Sequence, residues 1–178
     1  MAKQRILRFP EGFLWGTASA SYQCEGGNTN SQWYRWEQQG HILTGESCNG
    51  ADNWWEEAES DFKLAEQMEN NALRLSLEWS RIEPAEGRWD SAAIERYRAM
   101  LNDLRQRHMI PVVALHHFSE PLWFADRGGF ANEANIAFFV RYNRTKQIRP
   151  ARRPACGPAR ALVDVTMVMT MVMRERPL

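Results

Sequence analysis

Residues 9–26, FPEGFLWGTASASYQCEG, are the stretch from which the rest of this chain is interpreted. Pro10 and Gly12 predict a turn, because proline fixes one backbone angle and glycine frees another. A short apolar run and then small residues follow, and small residues allow close approach to another backbone or to a ligand. Near the end lies Gln23, whose amide both donates and accepts hydrogen bonds, as a sugar hydroxyl does. The stretch predicts a first strand that is either buried with a polar end or adjacent to a ligand.

Charge divides the chain into two unlike parts. Among 178 residues, 25% are charged and 44% are apolar, which is typical of a soluble globular domain with a core. Residues 143–178 carry eight Lys and Arg but two Asp and Glu, a net charge of +6. The 14 basic and 20 acidic residues that remain give residues 1–142 a net charge of −6. Such a step marks a boundary, so we expect a body at 1–142 and a different tail at 143–178.

The tail has the composition of a disordered segment. Residues 144–160, RTKQIRPARRPACGPAR, are basic and rich in proline, which argues against a helix or a central strand. No aromatic residues alternate with these arginines, so we expect no nucleic-acid partner. Residues 162–173, LVDVTMVMTMVM, form either a strand or a self-associating segment. They are too short, and are interrupted by Asp164, to cross a bilayer, so we expect no membrane partner.

The number of cysteines and the N-terminal residues indicate in which cellular compartment the protein is expected. Cys24, Cys48 and Cys156 are odd in number and lack metal-ligand spacing, which argues against a disulfide framework and a metal site. The opening residues, MAKQRILRFPEGF, are basic but lack the apolar run of a secretory signal. We therefore expect a cytoplasmic location.

Strand patterns recur along the body. Leu73, Leu75 and Leu77 alternate with polar residues, which predicts a strand with one apolar face. Valine and isoleucine are frequent in a later stretch that ends in two histidines. The predicted strands lie near residues 13–22, 72–79 and 111–117.

Helical patterns separate and follow these strands. Asn53 and Glu56 resemble a capping box at the start of the first helix, and Ser91 is a candidate cap for the second. A third helix is predicted at residues 133–142. Its predicted inward-facing residues are Ile136, Phe139 and Val140. A long loop at 27–50 carries three aromatic residues, which either serve a site or anchor the loop to the body.

The alternation of strands and helices predicts a parallel sheet. Polar residues follow each strand, at Tyr22–Gln23, Glu78–Arg81 and His116–His117. In (β/α) barrels the chemistry lies at that end of the strands. An open doubly wound sheet is the alternative, but no glycine-rich phosphate loop follows any strand. A full barrel needs about 250 residues, so the α/β fold predicted here is an incomplete (β/α)8 TIM-barrel type with about three βα units.

Three motifs resemble glycoside hydrolase family one, the β-glucosidase family. They are residues 9–26, residues 73–90 (LRLSLEWSRIEPAEGRWD) and residues 110–130 (IPVVALHHFSEPLWFADRGGF). The resemblance covers about residues 9–142 in the correct order. It implies a (β/α)8 barrel, no cofactor, and retaining hydrolysis of β-glycosides by two glutamates about 5–5.5 Å apart.

The resemblance also implies roles for individual residues. Gln23 and His117 match residues that bind hydroxyls of the sugar in the −1 subsite. Phe118 stands where many members have tryptophan, a departure that alters sugar stacking. Arg74 matches an arginine beside the nucleophile, where a cation keeps a carboxylate ionised. The expected substrate-binding residues are therefore Gln23, His117 and Phe118, and the expected partner is a β-glycoside sugar.

The catalytic glutamates of the family have no counterpart in this sequence. Its Asn-Glu-Pro motif for the acid/base and its Glu-Asn-Gly motif for the nucleophile are both absent, and Asn132–Glu133–Ala134 is placed at the start of a helix instead. Of the remaining glutamates, Glu78 is interpreted as an ion-pairing residue of the barrel wall. Loop or cap positions are predicted for Glu25, Glu83 and Glu120.

We therefore expect a truncated family member with no catalytic residue of its own, inactive alone, whose change of character at Asn143 indicates a frameshift or truncation. The alternative is a non-catalytic carbohydrate-binding or interaction module.

Overall fold

A parallel sheet forms the centre of the molecule. The computed structural model describes residues 8–144 and the backbone of residues 162–164. Within these ranges the strands are β1 (Gly16–Ala18), β2 (Ala72–Ser76), β3 (Ile110–Ala114) and β4 (Leu162–Asp164). They pair in the order β1-β2-β3-β4, and every pair is parallel. Arg74 lies opposite Ala18 on one side and opposite Val112 on the other. The predicted parallel strands with helical crossovers are confirmed.

Helices connect and flank the strands. In the described ranges they are α1 (Ser21–Cys24), α2 (Gln32–Gln38), α3 (Trp54–Gln67), α4 (Trp79–Ile82), α5 (Ser91–Gln106), α6 (Leu122–Ala125) and α7 (Ile136–Arg144), with short 3-10 turns at Gly129–Ala131 and Glu133–Asn135. The two long crossover helices, α3 and α5, contact each other, and α5 also contacts β3. This arrangement is the incomplete (β/α) pattern that the sequence predicts.

The tail contributes one strand to the described structure. β4 lies within the Met-rich segment for which the sequence left a strand and self-association open, and its backbone pairs with β3. The helix before the tail, α7, continues to Arg144, two residues beyond the predicted boundary. The predicted disorder of residues 143–178 concerns mainly residues outside the described ranges.

Several local details differ from the sequence prediction. β2 ends at Ser76, because Glu78 caps the N-terminus of α4 by accepting a hydrogen bond from the Ser80 amide. The capping box at Asn53 is wrong, since this residue has a left-handed φ of 52° and its side chain makes no cap hydrogen bond. The N-cap of α5 is Asp90, one residue before the predicted Ser91.

The inward face of the last helix also differs. Ile136 and Val140 were predicted inward, but their exposed fractions are 41% and 37%. Phe139 and Tyr142 are the buried residues of α7. The apolar side chains of α7 lie on more than one of its faces, so the spacing of apolar residues alone does not identify the buried face.

An aromatic cluster packs around Trp79, the first residue of α4. Its ring stacks on Tyr142 at 4.9 Å and meets the Trp123 ring edge-on at 5.6 Å. Phe124 and Phe139 complete the cluster, at 4.6 and 5.6 Å from Trp79. Burying a large side chain of this kind contributes roughly 1.5–3 kcal/mol. The cluster fixes α6 and α7 against the carboxyl end of β2.

Candidate functional site

The carboxyl ends of β1, β2 and β3 meet at one buried carboxylate. Ser21, just beyond β1, donates its hydroxyl to Oε2 of Glu78 at 2.9 Å. Ser119, beyond β3, donates its hydroxyl to the same oxygen at 2.6 Å. Because Gln23 and His117 each lie two residues from one of these serines, the segments that carry them lie at the same end of the sheet.

Gln23 lies on the short helix α1 with its side chain exposed. The residue before it, Tyr22, is buried and donates its hydroxyl to Glu37 at 2.7 Å. The amide of Ser21 donates to Oγ of Ser76 at 2.7 Å. These contacts attach α1 to α2 through Glu37 and to β2 through Ser76. The exposed amide of Gln23 therefore extends from a fixed backbone.

His117 is in contact with Arg74. Nη2 of Arg74 lies 3.0 Å from Nδ1 of His117. A guanidinium has no acceptor, so Nδ1 must accept this hydrogen bond and the imidazole proton must reside on Nε2. Burial, and secondarily the charge of Arg74, lowers the pKa of His117. At neutral pH the site therefore holds a neutral histidine, and among the described residues no hydrogen-bond partner is found for its Nε2–H.

Phe118 occupies a strained turn. Its φ is 64°, in the left-handed region that side chains other than glycine rarely adopt. The turn is closed by a hydrogen bond from the Ser119 amide to the His117 carbonyl at 2.8 Å. The Gln32 side chain donates to the Phe118 carbonyl and accepts from the Glu120 amide. Phe118 is 43% exposed, and its ring lies edge-on to His117 with ring centroids 5.0 Å apart.

His116 has a packing role instead. Its ring meets Phe130 edge-on at 5.0 Å and Phe139 at 6.1 Å. Burial, and then the proximity of His117, lowers the pKa of His116 to about 4. The two adjacent histidines thus differ in environment: His116 is neutral among aromatic rings, whereas His117 is paired with a cation.

The predicted ion pair of Glu78 is not found among the described residues. Its side chain is fully buried, and within the described residues its hydrogen-bond donors are the hydroxyls of Ser21, Ser80 and Ser119 and the amide of Ser80. Three serine hydroxyls, from three segments of the chain, thus donate to the carboxyl group at which a cation was expected. The sequence holds no local signal for this arrangement.

The other glutamates have cap or loop positions, as predicted. Glu25 and Glu83 are the C-cap residues of α1 and α4, and Glu120 precedes α6. Their burial was not predicted: Glu25 is 1% exposed and Glu83 is fully buried. Burial, reinforced by the nearby Glu78 carboxylate, raises the pKa of Glu25 to about 7, and burial raises the pKa of Glu120 to about 7.

Polar and ionic partners satisfy the two buried cap residues. Glu25 accepts hydrogen bonds from Nε of Arg81 at 3.0 Å and from the hydroxyl of Tyr97 at 2.7 Å. Glu83 accepts from the indole of Trp79, the amide of Gly87 and Arg141. Both carboxylates therefore join elements of the fold to one another.

The described part of the chain has neither a metal centre nor a membrane span. Among residues 8–144, no three histidine, cysteine, aspartate or glutamate side chains are placed to hold a metal ion. None of the described helices combines the length and the hydropathy needed to cross a bilayer. Asn132 caps the 3-10 turn at Glu133–Asn135, so Glu133 begins a helical segment as the sequence predicts.

Comparison with known sequences points to one family. A family model described as glycosyl hydrolase family 1 matches residues 6–149. The chain is 34% identical over 143 residues to a 6-phospho-beta-galactosidase of Streptococcus equi subsp. zooepidemicus, an alignment that covers 77% of this chain and 30% of the relative. It is 31% identical over 146 residues to beta-glucosidase A of Thermotoga maritima, covering 78% and 33%. The chain therefore spans about a third of the length of these relatives.

Solved structures give the same result. A beta-glycosidase from Pyrococcus horikoshii matches with a TM-score of 0.72 and 42% identity, covering 76% of this chain and 32% of that one. A beta-glucosidase from Thermotoga maritima, solved in complex with methoxycarbonyl-substituted glucoimidazole, matches with a TM-score of 0.76 and 30% identity, covering 78% and 33%.

Proposed function

This chain belongs to glycosyl hydrolase family 1, and from that membership we propose that it forms the sugar-binding part of a β-glycosidase of the β-glucosidase type. The observation that supports this most is the contact between Arg74 and His117, at the same sheet end as Gln23. It leaves a neutral histidine with one N–H donor at the sheet end that also carries the exposed amide of Gln23. This combination suits a sugar ring, whose hydroxyls both donate and accept.

Each residue has a distinct proposed role. The Nε2–H of His117 donates to a hydroxyl oxygen, and the amide of Gln23 both donates and accepts. Phe118 offers an exposed ring for the apolar face of the sugar, in a position where many members have tryptophan. The proposed partner is a β-glycoside, and we propose neither a nucleic-acid nor a membrane partner. The proposed location is cytoplasmic.

Hydrolysis requires groups that these 178 residues do not supply. Retaining hydrolysis uses a nucleophile and an acid/base on opposite sides of the scissile bond. The sequence lacks both motifs that carry these glutamates, and Glu25, Glu78 and Glu83 are buried in hydrogen-bond networks. The polypeptide of these 178 residues is therefore proposed to bind sugar without hydrolysing it, and Arg74 supports a nucleophile only where one is present. The alternative is a non-catalytic carbohydrate-binding or interaction module, which is not part of a hydrolase.

Binding and turnover are tested separately. Titration with D-glucose, followed by isothermal calorimetry or NMR, should give a dissociation constant of about a millimolar. Gln23→Ala and His117→Ala should each weaken it severalfold, because each removes a hydrogen bond to a hydroxyl. The matched control is Gln106→Ala, an exposed glutamine at the end of α5. It lies at the amino end of β3 and should leave binding unchanged.

The accompanying assay uses a chromogenic aryl β-glucoside and should show turnover at background. Turnover well above background that disappears in one glutamate variant would contradict the proposed division between binding and catalysis. Absence of glucose binding to a folded chain would contradict the proposed site.

A further inference from the structure

We propose that Glu78 is a positioning residue that sets the placement of Gln23 relative to His117. The inference rests on the proposed function, since it concerns how the two sugar-binding residues are held together. Glu78 itself touches no sugar: it is fully buried and acts through Ser21 and Ser119.

The two serines share a single oxygen atom. The Ser21 hydroxyl lies 2.9 Å and the Ser119 hydroxyl 2.6 Å from Oε2 of Glu78, across sequence separations of 57 and 41 residues. Ser21 and Ser119 are 1% and 3% exposed, so water does not compete for these bonds. A carboxyl oxygen is able to accept more than one hydrogen bond. A shared acceptor therefore fixes the distance between two segments that are remote in sequence.

Each serine is coupled to its sugar-binding neighbour by short, constrained backbone. Ser21 is the first residue of α1, and Gln23 follows within the same helical turn. Ser119 follows the strained Phe118, and its amide donates to the His117 carbonyl at 2.8 Å. A left-handed residue of this type is strained and persists only where surrounding contacts hold it. A shift of Ser21 would therefore move the side chain of Gln23, and a shift of Ser119 would move the side chain of His117.

Glu78 is itself immobilised from the opposite side. Its amide donates to the hydroxyl of Tyr97 at 2.9 Å, and that hydroxyl donates to Glu25 at 2.7 Å. Its other carboxylate oxygen, Oε1, accepts from the Ser80 hydroxyl at 2.7 Å. The carboxylate is thus a fixed point. Glutamine keeps one acceptor oxygen, and the Ser80 amide, which only donates, favours the carbonyl at the position of Oε1. Glu78→Gln therefore preserves the shape and places an amino group opposite the Ser21 and Ser119 hydroxyls that now donate.

The experiment measures coupling between residues rather than stability. D-glucose affinity is determined for Glu78→Gln, Ser21→Ala and Ser119→Ala, each alone and combined with Gln23→Ala or His117→Ala. Glu78→Gln should weaken binding about fivefold or more in the parent chain, and by a smaller factor in the background of Gln23→Ala or of His117→Ala. The loss of affinity in Ser21→Ala should be smaller when Gln23→Ala is already present. The loss in Ser119→Ala should likewise be smaller when His117→Ala is present. Ser60→Ala, an exposed serine of α3, is the control.

A second readout reports on His117 without sugar. In protein labelled with ¹⁵N-histidine, the ring nitrogen resonances of His117 should shift in Ser119→Ala and Glu78→Gln, and return in Ser119→Thr, which restores the hydroxyl. A purely structural role predicts lower melting temperatures with unchanged affinity of the folded chain and unchanged His117 resonances. That result would overturn the inference, as would losses that simply add to those of Gln23→Ala and His117→Ala.

The outcomes also separate this inference from the proposed function. If the parent chain binds no glucose, the proposed function fails, and the His117 resonances still decide whether Glu78 positions that ring. If the parent chain binds glucose and Glu78→Gln does not fold, the two single serine variants decide the inference.

Discussion

Arg74 and His117, 43 residues apart, are joined by a hydrogen bond of 3.0 Å between Nη2 and Nδ1. Arg74 lies in β2 and His117 follows β3, so the contact crosses between neighbouring strands at their carboxyl ends. The arginine fixes the tautomer of the histidine, because a guanidinium only donates and Nδ1, the nitrogen in contact with it, must therefore accept. The family resemblance gave Arg74 a role towards a nucleophile, and the structure adds this second partner.

Removing the guanidinium should raise the pKa of His117. In Arg74→Ala the repulsion of a nearby cation is lost, whereas burial, the larger cause of the lowered pKa, remains. The pKa should therefore rise but stay below the ordinary value of about 6.5. An NMR titration of the His117 ring measures it. Arg98→Ala, which breaks an exposed pair with Glu95, is the control, and an equal shift in that variant would contradict the prediction.

Stability should fall as pH rises towards and through neutrality, because of Glu25. Burial and the Glu78 carboxylate raise its folded pKa to about 7, above the unfolded value, despite the opposing effects of Tyr97, Arg81 and Asn28. The folded state then binds the proton more tightly, so stability from this group is fully present below about pH 4.5 and is lost as pH passes about 7. Melting temperatures measured between pH 5 and 8 should decline.

Glutamine variants test the assignment of that decline. Glu25→Gln should flatten the decline, since glutamine does not titrate. Glu120 contributes with the same sign, because burial also raises its pKa to about 7. Glu25→Gln/Glu120→Gln should therefore be flatter still. Glu46→Gln, an exposed loop variant, should retain the full decline. A decline of equal slope in the double variant would rule out both carboxyls as its source.

Phe118→Trp should tighten glucose binding. The Phe118 ring is 43% exposed next to His117, and an indole presents a larger face to the apolar side of a sugar. We expect a gain of about two- to fivefold in affinity, equivalent to roughly 0.5–1 kcal/mol. Phe118→Leu keeps an apolar side chain without a ring and should weaken binding. Equal affinities for all three side chains would show that the ring does not touch the sugar.

The sequence predicts best those elements whose pattern is local. α3 and α5 show clear helical spacing, because each has one face towards the core and one towards solvent. β2 shows clear alternation although four of its five residues are buried, because its leucines alternate with Arg74 and the buried Ser76. The family motifs add Gln23 and His117, whose segments the fold brings to one sheet end.

What the sequence missed depends on contacts between distant residues. Ser21 and Ser119 contact Glu78 across 57 and 41 residues. Glu25 and Glu83 accept hydrogen bonds from Tyr97 and Arg141, which are 72 and 58 residues away. The start of α4 was missed because strand-like alternation continues to Trp79, while the Glu78 cap that ends β2 is a single hydrogen bond. Periodicity carries no information about such pairings.

The outer edge of β1 should promote self-association. Phe9, Phe13 and Trp15 form a mutual ring cluster with centroids 4.5–4.9 Å apart, and their exposed fractions are 55%, 41% and 48%. All three residues of β1 are exposed beside it, and β1 pairs on one side with β2. An exposed strand edge next to an apolar patch is a site for association between chains.

Phe13→Gln/Trp15→Gln should therefore reduce association, measured by light scattering at increasing protein concentration. The melting temperature should change little, since the cluster is outside the buried core. Leu43→Gln removes a single, fully exposed apolar side chain and should leave association unchanged. If the double variant associates as strongly as the parent chain, the β1 edge is not the contact surface, and the association must arise elsewhere in the chain.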